Sequence, residues 1–257
     1  MAWEVLAGQG VIEVEDALVP LLEQRCVGSH LRPSGQSGGS RLRLCARPMS
    51  PEASGRGFLL DAQRPGWGSV EVEAERVVAH IPEDPFAAEA ALRAALLVAV
   101  LRQGGLLLHA AAVAFSGRAL VIVGPSGAGK STLARSAVAA GGALLSDETV
   151  GLLPSGRVHG SPFRSDADLV PTCAAARLAH LVWVVKGPAE LVSPVEAPES
   201  VRLLLQQAYR PPPGMVSRPE LAARAVALLG RVGLSRFTCR KSPDAGVFAR
   251  ELVMGMA

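Results

Sequence analysis

Hydrophobic and polar positions follow two regimes along this chain. Up to residue 82, short stretches alternate with period two. Arg41-Leu42-Arg43-Leu44-Cys45 does so, as does Val70-Glu71-Val72-Glu73-Ala74, which Arg76-Val77-Val78-Ala79-His80-Ile81 follows after a turn. Period two puts alternate side chains on opposite faces of an extended strand, so half-buried strands are expected. Residues 1–82 therefore read as a small β-rich unit, with a Gly/Ser-rich loop at 34–40. No cluster there suggests chemistry, and His30 and His80 read as surface or structural histidines.

Beyond Pro82-Glu83-Asp84-Pro85 the pattern changes. Residues 86–102 are rich in alanine and leucine, with acidic residues near the start, Arg102 at the end and Gly104-Gly105 as a stop. This predicts a helix that is apolar almost all round, buried as a connector over 83–105. From 106 onward, continuous apolar runs replace alternation, as strands buried on both faces require. Leu106 to Phe115 and Ala119 to Val123 flank Ser116-Gly117, a two-residue hairpin signal. That turn pairs Phe115 with Arg118 and, extended outward, places His109 opposite Gly124. Further strands are expected at 143–146 and 181–185, and a hairpin from Val150 to His159. Helices are expected at 198–209 and 220–230, then a late strand at 237–240 and a terminal helix capped by Asp244. Arg210-Pro211-Pro212-Pro213-Gly214 breaks the chain into an exposed loop.

Gly124-Pro125-Ser126-Gly127-Ala128-Gly129-Lys130-Ser131 fits G-x-x-x-x-G-K-[ST], followed by Thr132. The apolar run before it and the helical run after it supply the strand, loop and helix the motif requires. Glycines let backbone N–H groups converge on phosphate oxygens, and the helix N-terminus adds partial positive charge. Residues 124 and 126–132 are thus the candidate nucleotide site, with Lys130 reaching the β/γ-phosphates and the Ser131 hydroxyl on magnesium. After one crossover, Ala143-Leu144-Leu145-Ser146 ends in Asp147-Glu148. A strand–helix–strand crossover is right-handed and parallel, so these carboxylates should open on the edge that holds the glycine loop. Asp147 and Glu148 are candidates for proton acceptance or metal binding, His109 for the phosphate end, and Arg164 for offsetting transition-state charge.

Composition narrows the classes. Net charge is +3, with no basic run or interleaved aromatic patch, so nucleic acid is not expected as a partner. Cys26, Cys45, Cys173 and Cys239 form no C-x-x-C pair and read as buried apolar residues in a reducing cytosol. Arg93, Arg102, His109 and Arg118 interrupt the longest apolar stretches, and no basic-then-apolar start is present, so neither a membrane span nor a signal peptide is expected.

The loop read alone also resembles ABC-transporter ATPases, but no LSGGQ-type signature follows, and the carboxylates come early. Leu107-Leu108-His109, GPSGAGKS and Leu144-Leu145-Ser146-Asp147-Glu148-Thr149-Val150 together resemble the catalytic domain of HPr kinase/phosphorylase, a fold related to phosphoenolpyruvate carboxykinase. The likeness is greater to HPr kinase-like proteins of bacterial peptide-tailoring clusters, lasso-peptide kinases among them. It covers about 106–162, and 106–257 would be the catalytic domain. The resemblance implies an α/β fold and an ATP- and Mg2+-dependent kinase acting on a peptide or protein serine/threonine. Lys130 and Ser131 would hold nucleotide and metal, Asp147 would be the base, Glu148 would assist with metal, and His109 would stand near the reacting phosphate. The family's later R-G-hydrophobic-G signature has no match, so phosphorylase activity and the hexamer are not implied. A small-molecule kinase or a nucleotide-binding scaffold is the alternative. Homo-oligomerisation is left open.

Overall fold

The computed structural model describes residues 2–4, 10–26, 31–32, 40–49, 57–60, 64–163 and 169–255. It is a mixed α/β structure with two sheets. The first has seven strands: β1 (Ala2–Glu4), β2 (Gly10–Val14), β3 (Leu31–Arg32), β4 (Ser40–Arg47), β5 (Phe58–Leu59), β6 (Ser69–Val72) and β7 (Arg76–His80). Their order is β3-β1-β2-β4-β7-β6-β5. The alternation of 41–45 appears as expected, with Leu42 and Leu44 buried and Arg41 and Arg43 exposed. β6 and β7 form the antiparallel hairpin. His80 is a structural residue, its Nε2 3.4 Å from Glu71 Oε1. Most of the expected 34–40 loop, and His30, lie outside the described residues.

Between β2 and β3 lies helix α1 (Val19–Arg25), which packs on the long helix α2 (Pro85–Arg102). Asp84 caps α2 by accepting from the Ala87 N–H at 2.9 Å. Twelve of its residues are buried, and its alanines and leucines share one core with Ile12, Leu42, Leu44 and Val77 of the first sheet.

The second sheet holds β8 (Leu106–His109), β9 (Ala111–Phe115), β10 (Arg118–Val123), β11 (Ala143–Ser146), β12 (Thr149–Leu152), β13 (Arg157–His159), β14 (Ala175–Lys186), β15 (Leu191–Pro194) and β16 (Ser235–Cys239). Helices α3 (Lys130–Ala139) and α6 (Asp244–Met254) cover one face, and α4 (Ala197–Gln207) and α5 (Arg218–Val232) the other. Along β10, Ala119, Val121 and Val123 enter the α4/α5 core while Leu120 and Ile122 enter the α3/α6 core. Burial on both faces is why this run shows no alternation. Ser217 caps α5 through the Glu220 N–H, at 3.2 Å. Asp244 is the first residue of α6 and not its cap; its carboxylate goes to Arg240 instead, at 3.1 Å.

Ser116 and Gly117, with φ of 49° and 76°, form the hairpin turn, and β9 pairs with β10 from Phe115–Arg118 to Ala111–Ile122 in the expected register. Beyond that the expectation fails. The apolar run 106–115 is two strands broken at Ala110, and β8 leaves to pair with β12, so His109 faces Thr149 and not Gly124. β11 pairs with β9, which makes 106–115 and 143–152 one long antiparallel ladder shared by four strand segments. The Ala110 N–H donates to the Glu148 carbonyl at 3.1 Å, bridging the gap. The sheet order is β11-β9-β10-β14-β13-β12-β8, with β16 pairing with β14 and β15.

Two stability predictions arise here. A Cβ on Gly246 of α6 would stand 2.0 Å from the Ser136 carbonyl oxygen of α3. Backbone cannot yield cheaply, so Gly246→Ala should destabilise by about 3 kcal/mol in chemical denaturation. His159 is 1% exposed, and its ring nitrogens have no hydrogen-bond partner among the described residues. Burial, and then Arg157, push its pKa down to about 4 from 6.5. The unfolded chain therefore takes up this proton first, and stability should fall by about 3 kcal/mol as pH drops from 6.5 to 4. Urea unfolding across that window should show a flatter pH dependence for His159→Leu.

Candidate active site

The strand–loop–helix around the glycine motif is β10, residues 124–129 and α3. Gly127 and Gly129 take φ of 73° and 109°, conformations that a side chain would strain. Lys130 begins α3 and is 8% exposed. Its Nζ donates to the carbonyls of Gly124 (2.9 Å) and Pro125 (3.3 Å), so the lysine closes the loop on itself. Burial lowers its pKa, and Asp147 opposes that effect.

Because β9 is antiparallel to both neighbours, β11 runs parallel to β10, and both strands end at one edge. Asp147 and Glu148 follow β11 directly. Their corner is held by Ser146, whose buried Oγ accepts from the Glu148 (3.3 Å) and Thr149 (3.1 Å) N–H groups and meets Ser161 Oγ at 2.9 Å. Asp147 is 7% exposed. His109, at the end of β8, reaches the same edge because Thr149 beside Glu148 is its strand partner. Burial, then Lys130 and Arg93, lower its pKa, against Glu148 and Asp147.

His109, Ser126, Gly127, Gly129, Lys130, Ser131, Thr132, Asp147 and Glu148 line one cleft of about 1120 Å³. Arg164 lies outside the described residues. The cleft also contains groups that sequence reading passed over. Arg93 of α2 forms ion pairs with Glu89 and, at 3.0 Å, with Glu148 Oε2. It donates to Tyr209 Oη at 3.2 Å and lies 4.7 Å from the Phe163 ring centroid. Tyr209 Oη meets Thr149 Oγ1 at 3.0 Å. Burial disfavours the Arg93 charge, but Tyr209, Glu148 and Glu89 together raise its pKa, leaving a fixed cation. The available signal was Glu89 and Arg93, one turn apart in an otherwise apolar helix. Such a pair is affordable in a core only when partners await it.

Residues from the first sheet's part of the chain, where no chemistry was expected, also line the cleft, Arg25, Arg64 and Trp67 among them. Arg25 bonds Glu89 at 2.8 Å and lies 4.1 Å from the Phe86 ring centroid. Trp67 stacks with Phe86 at 6.2 Å, and Arg64 lies 4.5 Å above Trp67.

Among the described residues no group of three or more His, Cys, Asp or Glu side chains could hold a metal. No helix there is long and apolar enough to cross a membrane. None of the four cysteines is in a disulfide; Cys26 and Cys45 are buried as expected, whereas Cys173 and Cys239 are half-exposed. No protein-family model and no curated protein matches the chain. Among solved structures, the HPr(Ser) kinase/phosphatase from Coxiella burnetii is similar over 58% of this chain and 94% of its own, with 14% identity and a TM-score of 0.30. An overlap that loose carries no assignment.

Proposed function

We propose that the protein is an ATP-dependent kinase that phosphorylates a serine or threonine hydroxyl of a peptide or protein, as a cytoplasmic tailoring or regulatory enzyme. One observation carries the reading: the loop lysine, two adjacent carboxylates and a histidine line a single cleft at one sheet edge. Phosphoryl transfer asks chiefly for positioning and charge neutralisation, and these parts supply both. Backbone N–H groups over Gly124, Ser126, Gly127, Ala128, Gly129 and Thr132 would cradle phosphate oxygens. Lys130 would leave the Gly124 and Pro125 carbonyls for the β/γ-phosphates. Asp147 takes the acceptor's proton, the acceptor oxygen bonds the γ-phosphorus, and the bond to ADP breaks.

Ser131 and Asp147 are hard oxygen donors of the kind magnesium takes, in a site where few protein ligands suffice because nucleotide oxygens complete the shell. Glu148 is a third such donor, with one oxygen tied to Arg93. When bound, the ion supplies neutralisation of phosphate charge.

Labelled ATP incubated with the protein and a total peptide extract tests the reading. Label on peptide supports it. Label on a small molecule, or slow hydrolysis alone, would replace it with the corresponding alternative. His109 has a narrower test. Beside the carboxylate corner, it is placed to relay a proton. His109→Ala should lower single-turnover transfer about a hundredfold while stability moves by no more than about 1–2 kcal/mol. The opposite pattern, lost stability with normal transfer per folded molecule, would make His109 structural.

A further inference from the structure

The aromatic and cationic wall needs an occupant. Phe86 is 46% exposed although it is a large apolar ring at the start of an otherwise buried helix. It is held by a stack with Trp67 and by the Arg25 guanidinium. A continuous set of contacts joins this wall to the carboxylate corner: Glu148 to Arg93, Arg93 to Glu89, Glu89 to Arg25, and Arg25 to Phe86. The wall thus adjoins the carboxylates and takes no residue from the glycine loop or α3. In an in-line displacement the acceptor approaches from the side opposite the leaving nucleotide, beside the group that takes its proton. The wall is therefore on the acceptor's side.

Charge narrows the occupant. Five cations and three carboxylates line the cleft. Arg25 and Arg93 are balanced by Glu89 and Glu148, and Lys130 faces the loop. Arg64 and Arg210, both exposed, have no ion pair among the described residues. Two unbalanced guanidinium groups beside a Trp–Phe pair match a ligand that brings a carboxylate and an apolar side chain together.

Building on the kinase reading, we infer that Arg64, Trp67, Phe86 and Arg210 form the acceptor subsite, and that it takes a serine peptide with acidic and apolar residues next to the phosphorylated hydroxyl. The unit over 1–82 then selects the substrate, and the second sheet performs the transfer.

The test uses the full chain, a non-hydrolysable ATP analogue and fluorescein-labelled octapeptides. Each peptide has one serine flanked by Glu and Phe, or by Lys and Phe. By anisotropy the Glu peptide should bind at least about tenfold more tightly. Arg64→Glu and Arg210→Glu should each weaken it about tenfold and reverse the preference; both residues are exposed, so the substitutions are compatible with folding. With ATP, the same variants should raise the peptide's KM. Equal affinity for the two peptides would overturn the inference, as would insensitivity to both variants. A tenfold loss of analogue affinity with peptide binding intact would also overturn it, by placing the nucleotide on the wall. Selective binding without transfer would uphold the subsite and remove the kinase reading. Transfer without charge preference would do the reverse.

Discussion

Lys130→Ala should abolish detectable phosphotransfer, lowering single-turnover rates by about a thousandfold, or roughly 4 kcal/mol of transition-state stabilisation. The lysine is 8% exposed and is the cation of the cleft's glycine loop, held by the carbonyls of Gly124 and Pro125. Its pKa is lowered by burial while Asp147 opposes that shift, and its Nζ is poised to exchange two carbonyl oxygens for phosphate oxygens. Removing it leaves developing negative charge on the transferred group without its nearest cation. The same change frees two loop carbonyls, so nucleotide affinity should fall as well. Isothermal titration with an ATP analogue and a melting curve on the same preparation separate lost binding from lost fold. A folded Lys130→Ala protein with near-normal turnover would refute the kinase reading.

Asp147→Asn should retain the fold and nucleotide affinity within a few-fold, yet lose transfer by about three orders of magnitude. The substitution keeps the shape but removes both the negative charge and the basic oxygen. The corner it sits on is held independently, by Ser146 Oγ accepting from the Glu148 and Thr149 N–H groups, so the loop geometry should survive. Rapid-quench transfer and equilibrium binding are the two readouts. Transfer within a few-fold of the parent would exclude Asp147 as the proton acceptor. A matched loss of nucleotide affinity would move its role from base to metal ligand.

The path from residues to site was legible in parts. The Ser116-Gly117 turn set the β9–β10 register correctly because a two-residue hairpin leaves no freedom of pairing nearby. The placing of His109, just past the last correct pair at Ala111, failed because strand partnership depends on what else is free to pair. β12 was available, and Ala110 let the chain change partners. His109 nonetheless reached the carboxylate corner, through Thr149 and not through Gly124.

Local chemistry was written in the chain itself. Glycines at positions needing positive φ, a lysine at the start of a helix and an apolar strand ending in Asp147-Glu148 are each a matter of neighbours in sequence, and short-range sterics and hydrogen bonds suffice to settle them. The Glu148–Arg93–Tyr209 network and the Arg25–Phe86–Trp67 wall join residues scattered from 25 to 209. Their sequence separation is too large for periodicity or spacing to register. Only the packing of α2 between the first sheet and the edge of the second brings them together, since burying its apolar surface obliges Glu89 and Arg93 to find partners where they land.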